Sequence, residues 1–436
     1  MTKSSPQQNI DNGLLNISCL IIGALILVRD VGDVSYDKFV LLAVCCLPMF
    51  FLNYSNFLCL LSFLFALTFG IPSNFIYVIA AVVLLFKTKE KIPNTAFTMF
   101  AVFAVWAIVD NMIYDGIFGA SFWGFVTRLF LLFVLISTDN KEVDYNKAIS
   151  LFAIGVAITS VAIIGYYLKT NSLDSMINFG TRLGDASTYT DEGDTQGMKM
   201  NTNANSLACY CICAMGCCIN VFMRSRKPLW AIMFFLLFGL GMLTVSRTFI
   251  ILGVVMTLAF IFMASKGNLP WYIKLLFVII STIAIYYFLQ SDFISQFGSR
   301  FRNEKLLEDS RGAIFAGYWD AFWSDLASVF LGAGVFTHRE VLFNAQSTHN
   351  MFQQILVSYG LIGFLILIFF LFKTFVSSYT TIVGSSTMKK TALITIVATL
   401  LFQQTIQYLT PHDLMLPTII GMFALKNIKY SSHYKV

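Results

Sequence analysis

The sequence predicts an all-α fold, a bundle of twelve to fourteen membrane-crossing helices with a large external loop containing amphipathic helices. Three observations predict it. Of 436 residues, 57% are hydrophobic and 12% charged, about half the charged fraction of a soluble domain. Mean hydropathy is +0.75. The apolar residues form blocks of about 15 to 22, the length a helix needs to cross about 30 Å of hydrocarbon. Within each block the apolar run is continuous rather than alternating with period two, which excludes a β-barrel and leaves helices to satisfy the backbone in lipid.

The segments lie near 13–28, 38–53, 57–70, 74–86, 96–113, 117–137, 148–168, 204–223, 228–245, 248–264, 270–289, 351–372, 391–409 and 411–425. The third and fourth are short enough for a re-entrant pair, which sets the lower count. Met1 to Asn12 is polar with one lysine, unlike a cleaved leader, so the first block is expected to stay as a helix. All nine cysteines fall inside apolar blocks. The run from Cys209 to Cys218 lacks the paired spacing of zinc sites, so neither a metal nor a disulfide framework is expected.

Orientation follows from lysine and arginine in short loops. With the N-terminus inside, the basic stretches 87–91, 224–227, Lys266, 373–390 and the tail with Lys426, Lys429 and Lys435 all become cytoplasmic. Both termini then lie in the cytoplasm. The net charge of +6 reflects this bias and does not point to nucleic acid. Two polar segments fall outside, 169–203 and 290–350. In the second, Ile314, Phe315, Tyr318, Trp319, Phe322, Trp323, Leu326, Val329 and Phe330 share one helical face, with Asp320, Ser324 and Asp325 on the other. That pattern suits a helix lying along the membrane interface or packed on the rim of the bundle.

Three external features can do chemistry. Ser246-Arg247-Thr248 is a tight turn between two apolar runs, where an arginine needs a partner, a lipid phosphate or a function. Arg311 stands at the start of the amphipathic helix, where a guanidinium and helix N–H groups suit a phosphate. His349, in Thr348-His349-Asn350, stands where a membrane helix emerges and is suited to taking a proton from an alcohol near neutral pH. Arg128 lies deep in the run 117–137, with Asp110 its expected partner if it is not lining a cavity. Gln403, Gln404 and Gln407 form a polar stripe that reads as interhelical hydrogen bonding. His412 follows Pro411 and reads first as turn chemistry. Arg300, Arg302, His338 and Arg339 hold substrate or are solvated loop charges, and Phe336 and Tyr189 are candidates to stack on sugars.

The Ser246-Arg247-Thr248 turn, the outer loop with Arg311, His349-Asn350 followed by Gly360 and Gly363, and Asn203-Ala204-Asn205-Ser206 together resemble the O-antigen polymerase and O-antigen ligase superfamily of bacterial inner-membrane glycosyltransferases. The resemblance covers about residues 200–372; the first 200 match as hydrophobic helices alone. It implies a donor glycan on undecaprenyl diphosphate, taken at the periplasmic face without metal, cofactor or nucleotide sugar. Arg247 and Arg311 would stabilise the leaving diphosphate and His349 would be the base. Asn350 and Asn205 would bind substrate, with membrane lipids and a chain-length regulator as further partners; from the residues themselves, Arg128, Arg300, Arg302 and Arg339 are candidates to bind it too. The run from His349 to Leu356 with Tyr359-Gly360-Leu361-Ile362-Gly363 looks nearer to polymerases than to ligases, though no residue decides it. A flippase for the same lipid-linked glycan is the alternative of another class; transporters tend to carry internal repeats, and none is clear here.

Overall fold

A computed structural model describes residues 6–88, 94–114, 120–138, 140–170, 182–183, 203–265, 310–324, 326–332, 350–382, 386–405 and 415–431, apart from some side chains near helix ends, including those of Asp110 and Arg311. Among them every regular element is a helix. In chain order these are α1 (Pro6–Asp30), α2 (Lys38–Phe51), α3 (Tyr54–Ala66), α4 (Ser73–Lys87), α5 (Asn94–Tyr114), α6 (Ala120–Ser137), α7 (Tyr145–Thr170) and α8 (Ala204–Ser225). They continue with α9 (Pro228–Met242), α10 (Arg247–Ser265), α11 (Ser310–Ser324), α12 (Leu326–Leu331), α13 (Met351–Thr380), α14 (Ser386–Gln403) and α15 (Met415–Ser431). Each expected apolar segment contains a helix among its described residues, except 270–289, which lies outside them.

Among the described residues five helices, α1, α7, α8, α10 and α13, are long and apolar enough to cross a membrane. The outward faces of others are apolar too: Leu229, Ile232 and Leu236 on α9, and Phe75, Val82, Leu85 and Phe86 on α4 are exposed. Such a surface suits lipid contact, since large exposed apolar patches are rare on water-soluble monomers.

Helix starts follow local chemistry. Asp37, Asn53, Asn203 and Asn350 each cap a following helix by accepting a backbone N–H into the side-chain oxygen, at 2.8–3.0 Å. Arg226 ends α8 in the left-handed conformation and Pro228 opens α9. α8 is the central element, buried from Leu207 to Phe222 and packed against α7, α9, α14 and α15. A Cβ on its Gly216 would stand 2.8 Å from the Cα of Thr395, so glycine is what lets α8 and α14 approach this closely. Asn220 on α8 donates to Ala424 O at 3.0 Å and accepts from Asn427 at 2.6 Å. Interhelical amide bonds of this kind contribute on the order of 1 kcal/mol each in a bilayer.

These contacts fix direction. Cys213 meets Pro417 and Asn220 meets Ala424, so α8 and α15 run parallel. Gln403 meets Thr418 and Gly421 meets Ile396, so α14 runs opposite to both. One end of the bundle gathers Asp11 with Asn53, Asn12 with Lys147, Lys87 with Leu52, and Lys426 with Thr138. The other gathers Arg29 with Gly70, Arg128 with Asn74, Arg182 with Asn205, and Asn350 with Gln404.

The amphipathic stretch is helical over its described residues, as α11 and α12. Its apolar face divides. Ile314, Tyr318, Phe322 and Val329 pack with Val357 of α13, whereas Phe315, Trp323, Leu326 and Phe330 are exposed. α13 itself is interrupted at Gly360, with φ +64° and ψ −177°, a backbone conformation that side-chain-bearing residues avoid. Gly332, φ +90°, ends α12 against this break: a Cβ on Gly360 would meet Gly332 N at 2.6 Å, and one on Gly332 would meet Gly360 N at 2.7 Å.

Candidate functional site

The polar groups of the Asn205 end fall into three clusters. In the first, the cap on α8 presents Asn205, whose Oδ1 accepts from Arg182 Nη2 at 2.9 Å. Arg182 Nε also donates to Thr244 O at 3.2 Å, and Leu183 N donates to Leu243 O at 2.9 Å. One arginine thus ties the start of α8 to the turn between α9 and α10. That turn is tight: Val245 has φ +50° and Ser246 is buried, which leaves Arg247 half-buried as the first residue of α10. Asn205 and Arg247 are therefore held at one place, with Arg182 between their elements. Two guanidinium groups on turns at a helix start form a fitting environment for phosphate oxygens.

The second cluster surrounds Asn350. Its Oδ1 accepts from Gln353 N at 3.0 Å and its Nδ2 donates to Gln404 O at 3.3 Å, joining the start of α13 to the end of α14. Gln353 Nε2 donates to Phe315 O at 2.7 Å, one turn beyond Arg311, so the first turns of α11 and α13 are in contact. Gln353 Oε1 and Gln404 Oε1 are both buried and find no hydrogen-bond partner among the described residues. An unmet buried acceptor costs about 1–3 kcal/mol.

These two clusters lie at one level. Gly216 of α8 faces Thr395 of α14. From those positions Asn205 is eleven residues away and Gln404 nine, in the same direction along antiparallel helices, or about 16 and 14 Å of rise. Thr391 bonds Met263 of α10 at 3.5 Å; from there Arg247 lies about 24 Å up α10 and Gln404 about 20 Å up α14.

The third cluster holds Arg128, 2% exposed. Its Nη1 donates to Asn74 Oδ1 at 2.8 Å and its Nη2 to Ser73 Oγ at 3.0 Å, and its guanidinium lies 5.2 Å from the Tyr77 ring centre. Asp110, the partner expected from sequence, has its side chain outside the described residues; Asn74 and Ser73 supply neutral groups from the start of α4. Gly124 makes room, since a Cβ there would stand 2.8 Å from Arg128 Nη1. Nearby, Arg29 holds Asp30 through two bonds of 2.8 Å and donates to Gly70 O at 2.8 Å, all buried. Phe69 packs edge-on against Tyr210 at 4.9 Å, which links this group to α8.

The structure thus brings Asn205 and Arg247 together and sets Asn350 at their level. Arg311 is in the first turn of α11. His349, Arg300, Arg302, Arg339, His338, Phe336, Tyr189, Gln407 and His412 lie outside the described residues. Gln403 bonds Thr418 between α14 and α15 at 3.3 Å, an interhelical pair as the stripe suggested. Sequence reasoning did not single out Arg182, which stood among the charges of a polar loop. The adjacent Leu183, an apolar residue that the fold buries, was the available signal. Among the described residues no cluster of histidine, cysteine and carboxylate suits a metal ion, and all nine cysteines are buried and free. No family model and no curated protein sequence matches this chain.

Proposed function

We propose that the chain is a membrane glycosyltransferase of the O-antigen polymerase kind. It moves a glycan from undecaprenyl diphosphate onto a hydroxyl of a second lipid-linked repeat unit at the periplasmic face of the bacterial inner membrane. The observation that carries this reading is the junction of Arg182, Asn205 and the Arg247 turn at the level of Asn350. A diphosphate leaving group gathers negative charge as its bond to the anomeric carbon breaks, and fixed guanidinium groups stabilise that charge. In the proposed reaction the acceptor oxygen attacks the anomeric carbon and its proton passes to His349. Undecaprenyl diphosphate leaves against Arg247, Arg182 and Arg311.

Orientation is part of the proposal. The opposite end carries Lys87, Lys147, Arg224, Arg226, Lys227 and Lys426, and the positive-inside rule assigns it to the cytoplasm. The long loops 169–203 and 290–350 are then periplasmic.

The test is reconstitution of purified protein with a defined undecaprenyl-diphosphate glycan. His349→Ala, Arg247→Ala and Arg311→Ala are each expected to lower transfer by about 10²–10³-fold while inserting normally. Full activity in all three removes the site assignment. Transfer to lipid A–core sugars instead of a second repeat unit identifies a ligase. Transfer in detergent, with no membrane to cross, excludes a flippase.

A further inference from the structure

The two clusters at the outer end differ in chemical character. Around Asn205 the groups are cationic donors. Around Asn350 they are acceptors whose orientation is fixed. Gln353 Nε2 is committed to Phe315 O at 2.7 Å and Gln404 Nε2 to Leu400 O at 3.0 Å. A carbonyl oxygen can accept only from the amide nitrogen, so neither side chain can be flipped without setting two oxygens against each other. The groups left over are therefore Gln353 Oε1 and Gln404 Oε1, both buried and both without a hydrogen-bond partner among the described residues. Asn350 ties the two together by accepting from Gln353 N and donating to Gln404 O. Gln353 is 2% exposed and Gln404 half-buried, so of the two side chains Gln404 lies nearer the surface.

The geometry points to a subsite between the start of α13 and the end of α14 that holds a hydroxyl-bearing ligand, the acceptor glycan of the transfer reaction. A ligand there must bring hydrogen-bond donors. Phosphate and carboxylate, which only accept when ionised, are refused by two acceptor oxygens, and sugar hydroxyls are taken. Buried from water, each such bond discriminates strongly. The division of labour follows: anionic diphosphate at Arg182 and Arg247, neutral hydroxyls at Gln353 and Gln404, with His349 directly before Asn350 in the chain. This assignment of the acceptor rests on the glycosyltransferase reading above.

The experiment uses the full-length protein in detergent and two probes, the repeat-unit oligosaccharide freed of its lipid and inorganic pyrophosphate. Binding of each is followed by equilibrium dialysis, and transfer from the lipid-linked donor is measured in parallel. Gln404→Met and Gln353→Met are expected to weaken oligosaccharide binding by about tenfold, the effect of one lost hydrogen bond to a buried group. Pyrophosphate binding stays unchanged. Gln404→Met is the cleaner variant, since its lost amide bond is to its own helix and its backbone still accepts from Asn350. Arg182→Ala shows the reverse pattern, losing pyrophosphate and keeping oligosaccharide. Unchanged oligosaccharide binding in both methionine variants, or equal losses of both probes, overturns the subsite while wild-type transfer leaves the reaction standing. A wild type that transfers no glycan and binds neither probe overturns both.

Discussion

The two ends of the bundle solve the problem of charge at a membrane surface in different ways. At the Lys87 end two lysines finish helices. Lys87 donates to Phe50 O and Leu52 O, where α2 ends, and Lys426 to Leu135 O and Thr138 O, where α6 ends. An ammonium among the carbonyls of a helix C-terminus is a cap, favoured by the helix dipole. At the Asn205 end the cations are mainly arginines, and they join side chains from different elements: Arg128 to Ser73 and Asn74, Arg182 to Asn205 and the α9–α10 turn. A planar fork fixes several acceptors at once and matches phosphate equally well, which a lysine does not. Arg224 with Asn427, Lys147 with Asn12 and Lys169 with Asp33 cross this division without dissolving it. The contrast teaches where to look for chemistry. One end is closed by its cations, and the other is organised by them.

The sharpest way to break the contrast is Arg182. Arg182→Ala is expected to lower glycan transfer by about 10²–10³-fold, and Arg182→Lys to recover little of it, as measured by initial rates on a lipid-linked donor. A lysine that restores the wild-type rate would make the two ends equivalent. Arg128 comes next. Arg128→Met leaves the partly buried Ser73 and Asn74 side chains without these bonds and should lower stability by about 1–3 kcal/mol, seen as earlier thermal unfolding in detergent; an unshifted midpoint would show that the fork organises nothing. Gly360→Ala places a methyl group against Gly332 N and in a glycine-only conformation, and should cost about 1–3 kcal/mol. Limited proteolysis between α12 and α13 would report it. The smallest effect belongs to the closed end, where Lys87→Met removes bonds to two carbonyls near the bundle surface and should cost about 1 kcal/mol without altering transfer per folded molecule.

The fold was largely legible because an apolar block of twenty residues reports its own length and period. Segments such as 228–245 and 351–372 coincide at their starts with α9 and α13, and Asn203 and Asn350 mark helix starts by their capping chemistry. The pairings were not legible. Arg128 and Asn74 are 54 residues apart, and Arg182 and Thr244 are 62 apart; no periodicity encodes which helices become neighbours. Asp110 was the expectation for the buried Arg128, and its side chain lies outside the described residues; the Ser73 hydroxyl and the Asn74 amide are partners that no sequence pattern announced. Gly360 and Gly363 looked alike in sequence as packing glycines. Only Gly360 has the positive φ that breaks the helix, because only there does another backbone, that of α12, come up against it.

That meeting of Gly332 and Gly360 has a consequence for how the protein tolerates change. Most contacts between segments are made by side chains, and drift can trim one partner while the other grows to fill the gap. Here main chain touches main chain, and neither position has anything to trim. A substitution at either glycine must push the whole of α12 away from α13, so the pair behaves as a rivet between α12 and the long apolar helix that Asn350 caps.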